Sequence, residues 1–252
     1  RHTRLVRDWS SDVCSSDLKT VLIRGVGPTL GSFGVTDTLA DPVLTILNGA
    51  NPVASNDDWT STPDLVATTA AVGAFALAAN SRDAVILGTG IAAGGYTVQL
   101  TGKGGATGNA LIELYDTTAA TSMTATSARF TNLSARTFGG TGGDTLIVGF
   151  NLSGTTARRM VMRAVGPGLA AFGVTGTMSD PKLELYAGQT KSGENDNWEA
   201  ASLAAQQAVG AFALTAGSRD AVLVATVQPG SYTLQVTGGT TGVVLVEVYE
   251  AP

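Results

Sequence analysis

Two clusters of asparagine and aspartate, SNDDW at 55–59 and ENDNW at 194–198, hold the side chains best suited to chemistry in this chain. Carboxylate and amide oxygens are the ligands that Ca²⁺ prefers, and the ion takes about six to eight of them. One interpretation is therefore a calcium site in each cluster, formed by Asn56, Asp57, Asp58, Asn195, Asp196 and Asn197. The other is a plain turn, because Asn and Asp side chains readily bond nearby backbone N–H groups.

A tryptophan follows each cluster directly, at Trp59 and Trp198. An exposed indole beside polar groups could stack on a sugar ring, which would make the two tryptophans a carbohydrate-binding platform. Because aromatic side chains bury a large apolar area, packing at the end of a core is the favoured alternative. The sequence alone does not decide between a carbohydrate-binding platform and core packing for these two tryptophans.

Catalytic chemistry has few candidates. His2 is the only histidine and Cys14 the only cysteine, and both lie in the unusual segment 1–18. Without them the usual nucleophilic triads and zinc sites cannot be built. The sequence therefore predicts no catalytic residues and no cofactor apart from the calcium alternative, and it indicates that the chain is not an enzyme.

Several charged residues lie in or beside apolar segments. Arg163 and Glu247 are each surrounded by strand-forming apolar residues, and a buried charge needs a partner. We therefore predict an ion pair between them, with Glu247 as a catalytic acid as the minor alternative. The adjacent residues Arg219 and Asp220, like Arg82-Asp83 in an identical setting, are interpreted as a local charged pair.

The glycine-rich stretch RGVGPTLG (24–31) resembles a dinucleotide-binding loop only in part. Gly25 and Gly27 fit the fingerprint, but Leu30 occupies the place of its third glycine. Pro28 also lacks the backbone N–H that a phosphate would accept. The stretch is therefore predicted to be a structural turn.

The chain has 252 residues, a net charge of −5 and 44 % hydrophobic residues. The acidic balance, without a cluster of Lys or Arg, argues against a nucleic-acid partner. No apolar run approaches the roughly 18 residues of a membrane span, so membrane insertion is not expected.

These side chains are positioned by a unit that occurs twice. IRGVGPTLGSFGVTDTLADPVLTI (23–46) matches MRAVGPGLAAFGVTGTMSDPKLEL (162–185), and AVGAFALAANSRDAVI (71–86) matches AVGAFALTAGSRDAVL (208–223). The first pair of segments is 139 residues apart. At this offset, residues 1–18 would correspond to 140–157, but none of these 18 positions carries the same residue. We therefore expect 1–18 to be a foreign or disordered segment, and DWSSDVCSSDL within it resembles translated sequencing-adapter DNA.

Alternating apolar and polar residues, as in YTVQLT (96–101) and YTLQVT (232–237), predict short strands with turns of glycine and proline between them. Helices long enough for a parallel α/β fold are missing. The predicted fold class is all-β, with two tandem antiparallel β-sandwich, jelly-roll-like units. The first, 19–117, is truncated at its N-terminus and leaves a sheet edge uncovered; 118–126 is a linker and 127–252 is the second unit.

The segments RGVGPTLGSFGVTDTLADPVLTI, RAVGPGLAAFGV and GVVLVEVYE resemble tandem repeats near the C-termini of large secreted proteins of environmental bacteria. DPVLTILNGANPVASNDDW with GGYTVQLTGKGG is more distantly similar to bacterial pre-peptidase C-terminal-type β-sandwiches. The resemblance implies a secreted or cell-surface, non-catalytic accessory module for spacing, adhesion or domain presentation, whose partners are neighbouring domains, polysaccharide or cell-surface components. The alternative function is a calcium-dependent or carbohydrate-binding module.

Overall fold

The computed structural model describes residues 3–9, 18–124 and 127–252, so His2 and Cys14 lie outside the described residues. The chain divides into two compact units, Arg1–Thr131 and Asn132–Pro252. The second unit therefore begins five residues after the start that we predicted at 127. β-strands make up 47 % of the structure, they pair antiparallel, and helices are few and short, which confirms the all-β fold class.

The second unit is an eight-stranded jelly roll. Its strands are β8 (Asn132–Gly139), β9 (Leu146–Leu152), β10 (Arg158–Val165), β11 (Pro181–Ala187), β12 (Thr190–Asn195), β13 (Ala221–Val227), β14 (Gly230–Gly238) and β15 (Gly242–Ala251). Within this unit, one layer contains β13-β10-β15-β8 in that order and the other contains β12-β11-β14-β9. Apart from the β11–β12 hairpin, successive strands alternate between the two sheets, which is the strand order of a jelly roll.

The first unit repeats this order with seven described strands. They are β1 (Thr3–Trp9), β2 (Lys19–Val26), β3 (Pro42–Asn48), β4 (Asn51–Asn56), β5 (Ala84–Ile91), β6 (Gly94–Gly102) and β7 (Leu111–Asp116). Within this unit, one layer contains β5-β2-β7 in that order and the other contains β1-β6-β3-β4. β1 pairs with β6 as β9 pairs with β14, although it lies inside the segment that we expected to be foreign or disordered. The origin of segment 1–18 stays a prediction.

The sheet that contains β10 is buried on both faces. Met160 and Met162 point towards the opposite sheet, whereas Val161 and Val165 point towards a second apolar cluster formed with loops and a short helix. Such near-continuous apolar strands are typical of a sheet covered on both sides. β2 in the first unit has the same arrangement, with Leu22 and Val26 in the second cluster.

Two short helices cover these clusters: α1 (Pro63–Ala71) in the first unit and α2 (Leu203–Ala208) in the second. The Thr62 hydroxyl caps α1 by accepting a hydrogen bond from the Leu65 N–H at 3.4 Å. Proline at the first helical position fits because its missing N–H has no partner there. Among the described helices, none has the length and apolar character that a membrane crossing requires.

Candidate functional site

The Asn/Asp clusters lie where β4 and β12 end, and their first asparagine connects the two sheets of each unit. The Asn56 side-chain carbonyl accepts a hydrogen bond from the Val85 N–H at 2.9 Å, and its amide donates to the Asp58 carbonyl at 3.0 Å. Because β4 and β5 belong to different sheets, this amide both closes a turn and joins the two layers.

Asn195 makes the same two contacts in the second unit. Its side-chain carbonyl accepts from the Val222 N–H at 2.8 Å, and its amide donates to the Asn197 carbonyl at 3.0 Å. The side-chain oxygen of each first asparagine therefore already has a backbone donor, as expected for a turn residue.

The remaining cluster residues Asp57, Asp58, Asp196 and Asn197 lie at or near the surface. Asp57 forms an ion pair with Lys103 at 2.8 Å, and this contact holds the pKa of the Asp57 carboxyl below its ordinary value. Within the described residues, three or more His, Cys, Asp or Glu side chains do not gather anywhere in a way that could hold a metal ion. The calcium sites stay a prediction.

We expect the thermal midpoint of the chain to be unchanged when Ca²⁺ is added, because the first asparagine of each cluster is already engaged. Differential scanning calorimetry with millimolar Ca²⁺ and then with excess chelator measures this directly. A ligand that binds only the folded state raises the midpoint by mass action. A rise with Ca²⁺ that the chelator reverses, and that Asp196→Ala abolishes, would therefore establish the calcium site.

The two tryptophans lie in the second apolar cluster of each unit. Trp59 is only 7 % exposed, and its indole N–H donates to the Ala78 carbonyl at 3.0 Å and contacts the Ser81 hydroxyl at 3.1 Å. This ring has no open face on which a sugar could stack.

Trp198 is half-buried against the equivalent cluster. Its indole N–H reaches the Thr215 carbonyl at 3.3 Å and the Ser218 hydroxyl at 3.1 Å. Both tryptophans thus have the surroundings of core residues with a satisfied polar group.

Substituting Trp198 by phenylalanine keeps most of the apolar contact and removes the N–H donor. We expect a loss of about 1–2 kcal/mol in the free energy of unfolding. Urea denaturation measures this loss, and a pull-down with insoluble polysaccharides measures binding in parallel. Unchanged stability together with loss of polysaccharide retention would instead indicate a sugar platform at Trp198.

Arg163 and Glu247 form the buried ion pair that the sequence predicts, across the β10–β15 pairing. Arg163 Nε lies 3.3 Å from Glu247 Oε2, and Arg163 is 0 % exposed. The guanidinium also donates to the Phe212 carbonyl at 3.0 Å and stacks over the Phe212 ring at 4.3 Å. The Tyr249 hydroxyl donates to Glu247 at 2.5 Å, so the carboxylate is held from two sides.

The first unit contains the same network. Arg24 Nη2 lies 2.9 Å from Glu113 Oε2, and the guanidinium donates to the Phe75 carbonyl at 2.6 Å. The Tyr115 hydroxyl donates to Glu113 at 2.7 Å. The duplication of every contact indicates that the network fixes the Phe-containing loop onto the sheet in both units.

Burial controls the protonation of Glu247. Desolvation raises the pKa of its carboxyl above the ordinary value, and the opposing effects of Arg163 and Tyr249 are smaller. A raised carboxyl pKa in a cleft is a feature of general acids. Here both carboxylate oxygens face the chain's own Arg and Tyr side chains.

Sequence reasoning missed the role of Asp83 and Asp220. The interpretation of Arg219-Asp220 as a local pair is wrong, because Arg219 binds Asp180 at 2.7 Å. Arg82 likewise binds Asp41, at 2.9 Å, and not Asp83. The fully buried Asp83 and Asp220 instead serve the VGP turns.

The carboxylate of Asp220 organises the turn that follows β10. One of its oxygens accepts hydrogen bonds from the Gly166 N–H at 2.9 Å and the Gly168 N–H at 3.0 Å. Its other oxygen accepts from the Ser218 hydroxyl at 2.6 Å. The backbone donors that a phosphate-binding loop would offer to a ligand are thus occupied by an internal anion.

Asp83 occupies the same place in the first unit, where it accepts from the Gly27 N–H at 2.8 Å and from the Thr29 hydroxyl. Gly27 is required by close packing, since a Cβ there would lie 2.1 Å from the Leu39 carbonyl oxygen. RGVGPTLG is therefore a structural turn, as the sequence predicts.

Comparison with known proteins adds little to this geometry. The chain matches no protein-family model and no curated protein. Among solved structures it is similar to one described as "Structure of PNGF-II in P21 space group", with 10 % sequence identity and a TM-score of 0.22. That match covers 99 % of this chain and 60 % of the other, so the chain spans less than two thirds of the other chain's length. A TM-score at this level does not indicate a shared fold.

Proposed function

We propose that this chain is a non-catalytic accessory module of a larger exported bacterial protein, in which it spaces or presents a neighbouring domain or supports adhesion. One observation carries the proposal: both units use their most deeply buried charged side chains in the same internal contacts. Arg163 and Glu247 hold a loop onto the sheet, and Asp220 holds a turn. The export of the parent protein is supported by the sequence resemblance alone.

A spacer must keep its length under load, and the jelly-roll order suits this task. β15, the last strand of the second unit, lies between β10 and β8 in the middle of its sheet. A force that pulls β15 out of the sheet must therefore break two sets of backbone hydrogen bonds, one with β10 and one with β8.

The proposal is tested by stretching the full chain between two handles in optical tweezers. We expect two separate unfolding steps, one for each unit. Unfolding of the second unit should release about 40 nm of chain, because it has 121 residues and an extended residue spans at most about 3.6 Å. A single step, or unfolding at forces below those of an isolated helical domain, would contradict a role as a spacer.

The non-catalytic part has its own test. The full chain and its Glu247→Gln variant are each incubated with panels of glycoside, ester and peptide substrates. Hydrogen exchange first verifies that the variant is folded. We expect no turnover by either protein. Turnover that disappears in Glu247→Gln would overturn the proposal, since it would make Glu247 a catalytic acid.

A further inference from the structure

The hairpin between β3 and β4 holds the single Asn-Gly dipeptide of the chain, Asn48-Gly49. Asn48, the last residue of β3, pairs with Asn51, the first residue of β4, and Gly49 and Ala50 form the turn between them. Gly49 has a φ of 60°, the left-handed conformation that glycine adopts at the first position of a two-residue turn. The dipeptide therefore places a side-chain amide directly before a residue without a Cβ, whose backbone nitrogen is unhindered.

The Asn48 side chain is not engaged elsewhere. Asn48 and Gly49 are both exposed, and within the described part of the chain the Asn48 amide has no hydrogen-bond partner. The Asn56 side chain, by contrast, donates to the Asp58 carbonyl and accepts from the Val85 N–H. The Asn48 side chain is therefore free to turn towards the nitrogen of Gly49.

The position of the turn favours local opening. The Asn48–Asn51 pair is the last of the β3–β4 ladder, and β4 is the outermost strand of its layer. Pairs at the end of such a ladder open at a small cost in free energy, because few contacts hold them. Opening releases Asn48 from its strand conformation, so that its side-chain carbonyl carbon can approach the Gly49 nitrogen while the rest of the unit stays folded.

A second exposed asparagine precedes a small residue, at Asn80-Ser81, but its surroundings differ. The Ser81 N–H already donates to the Ala78 carbonyl at 3.1 Å, and the Ser81 hydroxyl donates to Asp83 at 2.6 Å. A backbone nitrogen that is held in this way is not presented to the preceding side chain. The structure therefore distinguishes Asn48 from Asn80.

We propose that Asn48 is a site of spontaneous deamidation, and that the reaction loosens the β3–β4 hairpin. The backbone nitrogen of Gly49 loses its proton and attacks the side-chain carbonyl carbon of Asn48. The bond from that carbon to the amide nitrogen breaks, ammonia leaves with the proton, and a cyclic succinimide forms. Water then opens the ring at either carbonyl, which gives aspartate or isoaspartate. Water is the co-reactant, and this site does not depend on the proposed function.

The products explain why the hairpin should loosen. Isoaspartate adds a carbon to the main chain at a two-residue turn, which disturbs the register of β4 against β3. The β11–β12 hairpin of the second unit has the same turn, with Gly188 at a φ of 58°, but Ala187 stands in the place of Asn48 and has no amide. We therefore expect hydrogen exchange of backbone amides to speed up in β4 as conversion proceeds, and to stay constant in β12.

The experiment incubates the folded full chain at mildly acidic and at mildly alkaline pH, and follows the asparagines by mass spectrometry after digestion with pepsin. The peptide that contains Asn48 should gain the mass difference between a hydroxyl and an amide group. We expect this conversion to be at least about tenfold faster than at Asn80, which corresponds to a barrier lower by about 1.4 kcal/mol. The rate should rise with pH, because the deprotonated backbone nitrogen is the nucleophile.

The matched control is Asn48→Ala, which reproduces the Ala-Gly turn of the second unit and should keep exchange in β4 constant. Absence of conversion at Asn48 in the folded chain would overturn the proposal, even with conversion in urea. Equal rates at Asn48 and Asn80 would show that the turn does not direct the reaction. Aspartate without isoaspartate would indicate direct hydrolysis without a succinimide, and constant exchange in β4 of the converted chain would contradict the loosening of the hairpin.

Discussion

The Asp220→Ala variant is expected to lose about 3–5 kcal/mol of unfolding free energy in the second unit. The substitution leaves two buried glycine N–H groups and a serine hydroxyl without their acceptor. Each unsatisfied buried donor costs about 1–3 kcal/mol, and bonds to a charged acceptor are at the upper end of that range. Urea titration with hydrogen exchange at β10 and β13 assigns the loss to the second unit.

The matched control for this variant is Asp196→Ala, which removes an exposed carboxylate from the same unit. We expect it to change stability by no more than about 0.5 kcal/mol. Asp220→Asn keeps one acceptor oxygen, so its loss of unfolding free energy should lie between those of Asp220→Ala and Asp196→Ala. A loss below about 1 kcal/mol for Asp220→Ala would show that the VGP turn does not depend on its internal anion.

The second large effect concerns the buried ion pair. Arg163→Met leaves Glu247 buried without its positive partner, and breaking a buried pair in this way costs about 3–5 kcal/mol near neutral pH. The double variant Arg163→Met/Glu247→Leu removes both charges and should recover most of the loss. Denaturation of the unmodified chain, of Arg163→Met, of Glu247→Leu and of the double variant gives the coupling energy between the two residues.

The cost of Arg163→Met should depend on pH. Desolvation already raises the pKa of Glu247 in the folded chain, and removing Arg163 takes away the main opposing effect. A carboxyl whose folded pKa is raised favours folding while it is protonated, and this contribution disappears as pH rises through the folded pKa. The variant should therefore lose stability as pH rises above the ordinary pKa of a glutamate carboxyl, about 4.3, and regain it as pH falls back towards that value.

A matched control for the pH series is Arg158→Met, because Arg158 is 42 % exposed and bridges Glu250 at 3.4 Å. An exposed pair contributes about 0–1 kcal/mol, so its loss should be small. An Arg163→Met penalty that does not change as pH rises from the ordinary glutamate pKa, about 4.3, would contradict the effect of burial on Glu247.

The fold could be predicted from the sequence because its signals are local or repeated. Alternation in YTLQVT places Leu234 and Val236 in the core, and both are 0 % exposed. The internal repeat predicts two similar units, and the glycine and proline turns separate strands too short for an α/β fold. The Arg163–Glu247 pair could be predicted because both charges lie in apolar strands.

The roles of the polar loop residues could not be predicted, because their partners are distant in sequence. Asp220 bonds to Gly166, 54 positions earlier, whereas sequence reasoning paired it with the adjacent Arg219. Asn56 similarly bonds to the N–H of Val85, 29 positions later. Neither partner can be identified by a local pattern, although the Ser-Arg-Asp triplet recurs in both copies and could have marked Asp220 as structural.

The place of β15 in its sheet has a consequence for biosynthesis. β15 is the last strand of the second unit to leave the ribosome, yet it lies between β10 and β8, which are made earlier. Until it emerges, these two strands keep open edges that can pair wrongly with a neighbouring nascent chain. This unit therefore completes its sheet only after its full length has been translated, so a nascent chain that stalls before Gly242 would be prone to aggregate.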